Sequence, residues 1–220
     1  MTRITVIGGS SGVGLACVKE ALGRGHTVRM FSRSASATDL RHEQLETLVG
    51  DALDTEDVAK ALTDTEVVLQ TLGVPLGPKL VTGPITLFSR STAVLLPAMQ
   101  AAAVRRLVAL TGFGAGDSSS SIALLQRPGF RLLLGKAYDD KSTQERMIKA
   151  SGLEWTIARP GVLRNGAKTG EYRILTNPKT WRNGIIRRAD VADFMVTAAT
   201  GADHLGQAPV LIEHGLLPFT

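Results

Sequence analysis

The chain is expected to fold as an α/β, Rossmann-like doubly wound domain, a mainly parallel sheet of six to seven strands with helices on both faces. Three observations lead there. The run Thr5-Val6-Ile7-Gly8-Gly9-Ser10-Ser11-Gly12-Val13-Gly14-Leu15 passes from a strand through glycines and serines directly into a helix. Strand and helix signals then alternate along the chain, the pattern of a parallel sheet covered on both sides. Connections leaving strands are also longer, and richer in Gly, Pro and Ser, than those leading into them. The 220 residues, 44% of them hydrophobic, suffice for one large core, so residues 1–220 read as a single domain. No internal repeat or linker divides it, and the serines at 118–121 are its only low-complexity patch.

The first strand, 3–7, is the β-branched run Ile4-Thr5-Val6-Ile7 behind Arg3. A helix over 12–24 follows from the apolar periodicity between Val13 and Leu22 and stops in Gly23-Arg24-Gly25. Short apolar runs give strands at 27–31 and 46–49, then a helix at 55–62 and a strand at 67–71. The helix over 84–103 opens on Pro84, a residue suited to a first turn, and leads into a strand at 106–110. A helix at 139–151 ends at Ser151-Gly152, followed by a strand at 155–158, a helix at 189–200 and a last strand at 209–212.

Turns into strands are brief, as in Val104-Arg105 and Gly152-Leu153-Glu154. The segments leaving strands, 8–14, 73–83, 111–121 and 160–170, are long. In a doubly wound sheet these emerge together at the carboxyl ends of the strands, where the reversal of strand order opens a binding crevice. The segments at 112–121 and 160–172 are the expected substrate-side loops, the second a turn-rich lid containing the turn pair Asn165-Gly166.

Composition removes several classes. The single cysteine, Cys17, excludes an intramolecular disulfide and a cysteine-rich metal site, and on the first helix it reads as a small buried residue. His26, His42, His204 and His214 are dispersed without metal-ligand spacing, so no metal site is expected. The formal charge of +5 is spread along the chain rather than gathered into a basic arm, and no nucleic-acid partner is expected. No signal-peptide pattern precedes the first strand, and no apolar run approaches the roughly 18 residues that span a bilayer. A cytoplasmic protein, monomer or homodimer, without a membrane partner is the expectation. No Walker loop is present, since no Lys-Ser/Thr pair follows Gly14.

A glycine loop between first strand and first helix suits a dinucleotide. The glycines admit a pyrophosphate to the backbone, and the N–H groups at the helix start favour its charge. Gly8, Ser10, Ser11, Gly12, Val13 and Gly14 are the residues expected to hold it. After the second strand the chain reads Ser32-Arg33-Ser34, with no acid before Asp39 to accept from a ribose 2′-hydroxyl. Arg33 instead offers a planar fork to a 2′-phosphate, with Ser32 and Ser34 as hydroxyl donors, which favours NADP(H) over NAD. Asp51 and Ala52 close the third strand where an adenine would lie. There Asp51 either accepts from the adenine amino group or caps the next helix. Leu72 and Gly73, after the fourth strand, would run beneath the ribose and diphosphate.

The loop Gly8-Gly9-Ser10-Ser11-Gly12-Val13-Gly14 resembles the Gly-x-x-x-Gly-x-Gly loop of short-chain dehydrogenase/reductases. The segment from Lys141 through Glu145, Ile148 and Ser151-Gly152-Leu153-Glu154-Trp155-Thr156-Ile157 to Arg159-Pro160-Gly161 is similar to the atypical branch of that family. So is Arg188-x-Asp190-Val191-Ala192. That branch contains NAD(P)H-binding, NmrA-like proteins and flavin/biliverdin reductases. The resemblance implies a Rossmann fold with NADP(H), and either a reductase or a redox-sensing regulator. It places Lys141 on the helix facing the cofactor, donating to the nicotinamide ribose, unless it merely pairs with Glu145 at i+4. It places Thr111 where related reductases carry a serine touching substrate or nicotinamide; the alternative is a cap on the following glycine loop. Pro160, Gly161 and Val162 would present backbone groups to the carboxamide.

Carbonyl reduction also needs a proton donor, and the family's Tyr-x-x-x-Lys is altered here. Tyr138 stands three residues before Lys141, close enough to share a helix face, yet ahead of the helix start expected at Asp139. Tyr138, Lys141 and Thr111 are the catalytic candidates. Without a standard Tyr–Lys pair, the expected reaction is NADPH-dependent hydride transfer to a small conjugated acceptor of flavin, tetrapyrrole or quinone type, which can take its proton from water. The alternative is an NmrA-like NADP(H) sensor without turnover.

Overall fold

The computed structural model describes residues 1–74, 85–121 and 127–213. The chain opens with β1 (Arg3–Ile7), α1 (Gly12–Gly23), β2 (Thr27–Ser32), β3 (Leu45–Val49), α2 (Thr55–Ala61) and β4 (Val67–Gln70). It continues with α3 (Leu87–Ala101), β5 (Arg106–Leu110), α4 (Arg127–Lys149) and β6 (Glu154–Pro160). The last third adds the short strands β7 (Val162–Arg164), β8 (Tyr172–Leu175) and β9 (Ile185–Arg187), then α5 (Arg188–Thr200) and β10 (Val210–Glu213).

Eight strands form one sheet in the order β3-β2-β1-β4-β5-β6-β10-β8, and β7 pairs with β9 in a separate two-stranded ribbon. The first six strands run parallel in the 3-2-1-4-5-6 order of the Rossmann fold. β10 continues parallel beside β6, and β8 closes the edge antiparallel to β10. The expected six to seven strands become eight because Tyr172–Leu175 finds a partner only at this far edge.

Two apolar layers hold the helices on. On one face, α1 and α5 pack through Val13, Cys17, Val18, Val191, Phe194 and Met195 against Ile4, Val6 and Val108. On the other, Val58, Leu95, Met99 and Ile148 from α2, α3 and α4 cover Phe31, Val68, Leu107 and Ile157. Cys17 is fully buried, with its Sγ 4.0 Å from Met195 Sδ, and burial pushes its thiol pKa far up. This bears out its reading as a core residue.

Capping fixes where the helices begin. Asp54, not Asp51, caps α2, its carboxylate accepting from the N–H groups of Glu56 and Asp57. The start of α3 is capped from a distance: buried Asp140 on α4 accepts from Phe88 N (2.8 Å) and Ser89 N (3.3 Å). α4 begins at Arg127 rather than near Asp139. Pro128, Gly129 and Gly135 read as breakers in the sequence, but a proline in the first turn costs a helix no hydrogen bond. Three of the histidines are structural or surface groups, as expected: His26 Nδ1 accepts from Thr2 N, His42 Nδ1 from Gln44 N, and His204 Nδ1 lies 2.9 Å from Gln207 Oε1. His214 and residues 75–83 of the long fourth-strand connection lie outside the described residues.

Candidate cofactor and acceptor site

The carboxyl ends of β1 to β6 open onto one cavity of about 840 Å³, in the size range of cofactor and small-molecule sites. It sits where the strand order reverses, between β1 and β4. At this crossing Thr71 bonds Ile7 O through both its N–H (2.8 Å) and its hydroxyl (2.9 Å). Gly8, Ser10, Ser11, Gly12 and Val13 line the centre of the cavity, and no side chain caps the N-terminus of α1. Its first N–H groups therefore face the space in front of the loop.

The loop glycines divide by role. Gly12 has φ +56°, and a Cβ on it, or on Gly73, would meet nothing within 4 Å; both leave room for a ligand. Gly14 does not line the cavity. A Cβ there would lie 2.1 Å from Gly8 O and 2.6 Å from Thr71 Oγ1, so this glycine lets α1 cross the strands closely. The expectation that Gly14 touches the ligand is corrected to a packing role.

Ser32, Arg33, Ser34, Asp51 and Ala52 form one end of the cavity. Ser34 Oγ lies 2.9 Å from Ser10 Oγ, tying the end of β2 to the glycine loop. Asp51 Oδ1 accepts from Leu53 N (3.0 Å) in a local turn, while the helix cap that was its alternative role belongs to Asp54. Leu72 and Gly73 form the floor after β4.

Thr111, Tyr138 and Lys141 come together at the other end, with Pro160, Gly161 and Val162 beside them. Tyr138 lies inside α4, so it does share a helix with Lys141. A Cβ on Gly112 would lie 2.6 Å from the Tyr138 hydroxyl, and burial pushes that phenol up to about 12. Lys141 Nζ donates to Thr111 O (2.5 Å) and lies 4.9 Å from the Phe88 ring centroid. Desolvation lowers its pKa to about 8, against the opposing pull of Glu145. Lys141 does not pair with Glu145 as i+4 spacing suggested. Glu145 instead takes buried Arg159 (Nε 3.0 Å, Nη2 2.5 Å) and the Thr111 hydroxyl (2.8 Å). Asp117 also accepts from Arg159, and Trp181 lies against the guanidinium at 5.0 Å. The Thr111 hydroxyl is thus committed to Glu145. The Thr111 carbonyl accepts from Lys141.

The expected lid is corrected. From 160–172 only Pro160, Gly161, Val162 and Leu163 line the cavity. The segment beyond is fastened to α5: buried Asp190 accepts from Thr169 N, Thr169 Oγ1 and Gly170 N at 2.8, 2.9 and 2.9 Å. From 112–121, Gly112 and Phe113 line the cavity, while the turn Gly116–Ser121 packs on the Arg159–Glu145 pair. Sequence reasoning missed Phe88, Phe113, Leu163, Asn183 and Arg188 as lining residues. Arg188 carried a signal in the segment around Asp190, and Phe113 and Leu163 lie within the expected loops 112–121 and 160–172; Phe88 and Asn183 carried none.

A glycine-lined crevice at the reversal point of a parallel sheet, facing an uncapped helix start, defines a dinucleotide-binding Rossmann protein. Residues 8–201 match the NAD(P)H-binding family, and the chain belongs to it. Its structure is similar to that of ChuY, an anaerobillin reductase from Escherichia coli O157:H7, at 27% identity and TM-score 0.80, over 99% of this chain and 100% of that one. It also shares its fold with a wide-type short-chain dehydrogenase/reductase from Veillonella parvula in complex with NADP, at 16% identity and TM-score 0.81, over 97% and 95% of the two chains. A segment of 72 residues is 40% identical to a 3-beta-hydroxysteroid dehydrogenase of Mycolicibacterium neoaurum; it covers 33% of this chain and 19% of that protein. These findings agree with the resemblance to atypical short-chain reductases read from the sequence.

The residues present fit such a nucleotide. Ser32 Oγ is buried with no hydrogen-bond partner, although it lines the cavity, and a buried hydroxyl calls for one. Gly12 and Gly73 leave open the space a diphosphate and ribose need. Among the described residues no helix is long and apolar enough to cross a membrane, and no cluster of potential metal ligands occurs.

Proposed function

We propose that the protein is a cytoplasmic NADPH-dependent reductase of small, flat, conjugated acceptors of flavin, tetrapyrrole or quinone type, working as a monomer or homodimer. The observation that carries this reading is the single cavity joining a glycine loop and free Arg33 at one end to Tyr138, Lys141 and an apolar wall at the other. Arg33 is exposed and makes no hydrogen bond or ion pair with another described residue, so its fork is available to a 2′-phosphate, with Ser32 donating beside it. Ser10, Ser11, Gly12 and Val13 receive the diphosphate, and Asp51, Ala52, Leu72 and Gly73 flank the adenosine half. The bound nucleotide supplies a hydride. Lys141, held by Thr111 O, donates to the nicotinamide ribose, and the backbone of Pro160, Gly161 and Val162 meets the carboxamide. Phe88, Phe113 and Leu163 keep water from the acceptor face. Two electrons and one proton reach the acceptor as hydride, and the second proton comes from water or from the Tyr138 hydroxyl.

The experiment is a stopped assay of NADPH oxidation with flavin, bilin and quinone acceptors, together with direct titration of NADPH and NADH. Acceptor-dependent oxidation and a preference for NADPH are expected. Tight NADPH binding with no oxidation across the panel would overturn the reductase and leave a sensor of the NADP(H) state.

A further inference from the structure

We infer that the acceptor end of the cavity is an anion site, in which Arg188 pairs with a carboxylate or phosphate carried on the edge of a flat acceptor. The inference deepens the reductase reading and rests on it for the acceptor's position.

Along the strand ends the charged lining residues separate. Asp51 and Arg33 stand beyond β3 and β2, at the end assigned to the adenosine half. Lys141 and Arg188 stand at the opposite end, reaching it from α4 and α5, which lie on different faces of the sheet. Among the described residues no carboxylate lines that end. The Arg188 guanidinium has one described partner, the neutral Asn165 Oδ1 at 2.9 Å, and no acid. Its neighbours are not so placed. Arg164 and Arg187 share Glu213, at 2.5 and 3.7 Å. The nearby acids are spent as well: Asp190 on Thr169 and Gly170, Asp193 on Arg24 and Tyr172.

An arginine that lines an apolar cavity without a counter-ion leaves donor positions of its fork open to an anionic ligand. Asn183 adds to this. Its Oδ1 accepts from Gly184 N (2.9 Å), which leaves its NH₂ as the second donor on that wall. Aromatic and aliphatic walls with two donors at one rim suit a planar ring system bearing an acid group, and a neutral ring would leave Arg188 half-desolvated and unpaired.

The test compares acceptors in pairs that share a ring and differ in charge: FMN with riboflavin, and biliverdin with its dimethyl ester. The readout is the ratio of KM values within each pair, so a general disturbance of the cavity cancels. The wild-type protein is expected to favour the charged member. Arg188→Gln should shrink that preference by about tenfold to a hundredfold, the worth of a charge-assisted contact. Arg188→Lys, which keeps the charge without the fork, should fall between. Loss of preference in the flavin pair alone assigns the anion as a phosphate, and in the bilin pair alone as a carboxylate. An equal KM change for both members, or none, overturns the inference. If no acceptor supports NADPH oxidation, the reductase reading fails separately. The same four compounds are then titrated onto the NADP⁺-loaded protein by fluorescence, and equal affinities within each pair, or a preference that survives Arg188→Gln, again overturn the anion site.

Discussion

Arg33 leaves β2 into solvent with no hydrogen bond or ion pair to a described residue, so its charge is free for a ligand. Arg33→Ala is expected to weaken NADPH binding by about 1.5–3 kcal/mol and NADH far less, measured by calorimetry of both nucleotides. Lys141 behaves differently because it is held against Thr111 O in a largely apolar setting. With its pKa lowered to about 8, it is charged below that pH and loses its proton above it. NADPH affinity should fall as pH rises through about 8, and Lys141→Met should flatten the profile. The folding sign runs the other way. Between about 8 and the ordinary 10.5 the unfolded chain holds a proton that the folded chain has released, so stability rises with pH across that window. Residues at strand ends were legible because loop length and glycine content mark them. The buried partner of Glu145 was not: helical spacing exposes Lys141 and Lys149, of which only Lys149 comes within 4.0 Å, whereas Arg159 arrives from β6.

The α4–β6 contact depends on that pair. Arg159 is 0% and Glu145 1% exposed, so removing Glu145 leaves a buried guanidinium with only the exposed Asp117 carboxylate as its counter-ion. Glu145→Ala should cost about 3–5 kcal/mol in urea unfolding. It should also release Thr111 and so raise the Kd for NADPH in the protein that remains folded. The regular parallel strands were readable from their apolar runs, with ends displaced by a residue or two. β7 and β9, three residues each, were not, because so short a run carries no alternation and forms only by pairing with its distant partner. The start of α4 was misplaced because glycines and a proline outweigh periodicity in a sequence reading, while the fold tolerates them.

Across the whole molecule, the alternation of strand and helix was enough to anticipate the parallel sheet and the side on which ligands bind. The antiparallel β8 edge and the tethering of 165–171 by Asp190 were not, since both depend on partners far along the chain. Because strands, loop and α1 converge on one crevice, occupancy should stabilise the entire fold. At about a hundred times Kd, NADPH should add roughly 2.7 kcal/mol, visible as a raised Tm, and Gly73→Val should abolish the shift while leaving the unliganded Tm nearly intact.

Cys17, the only thiol in the chain, lies on α1 with its sulfur against Met195 of α5. Alkylating reagents therefore reach it only in molecules whose first helix has lifted away, and its labelling rate becomes a clock for that opening. If the nucleotide grips the start of the same helix, saturating NADPH should slow the clock, and a rate indifferent to NADPH would mean that the helix opens without regard to what sits at its tip.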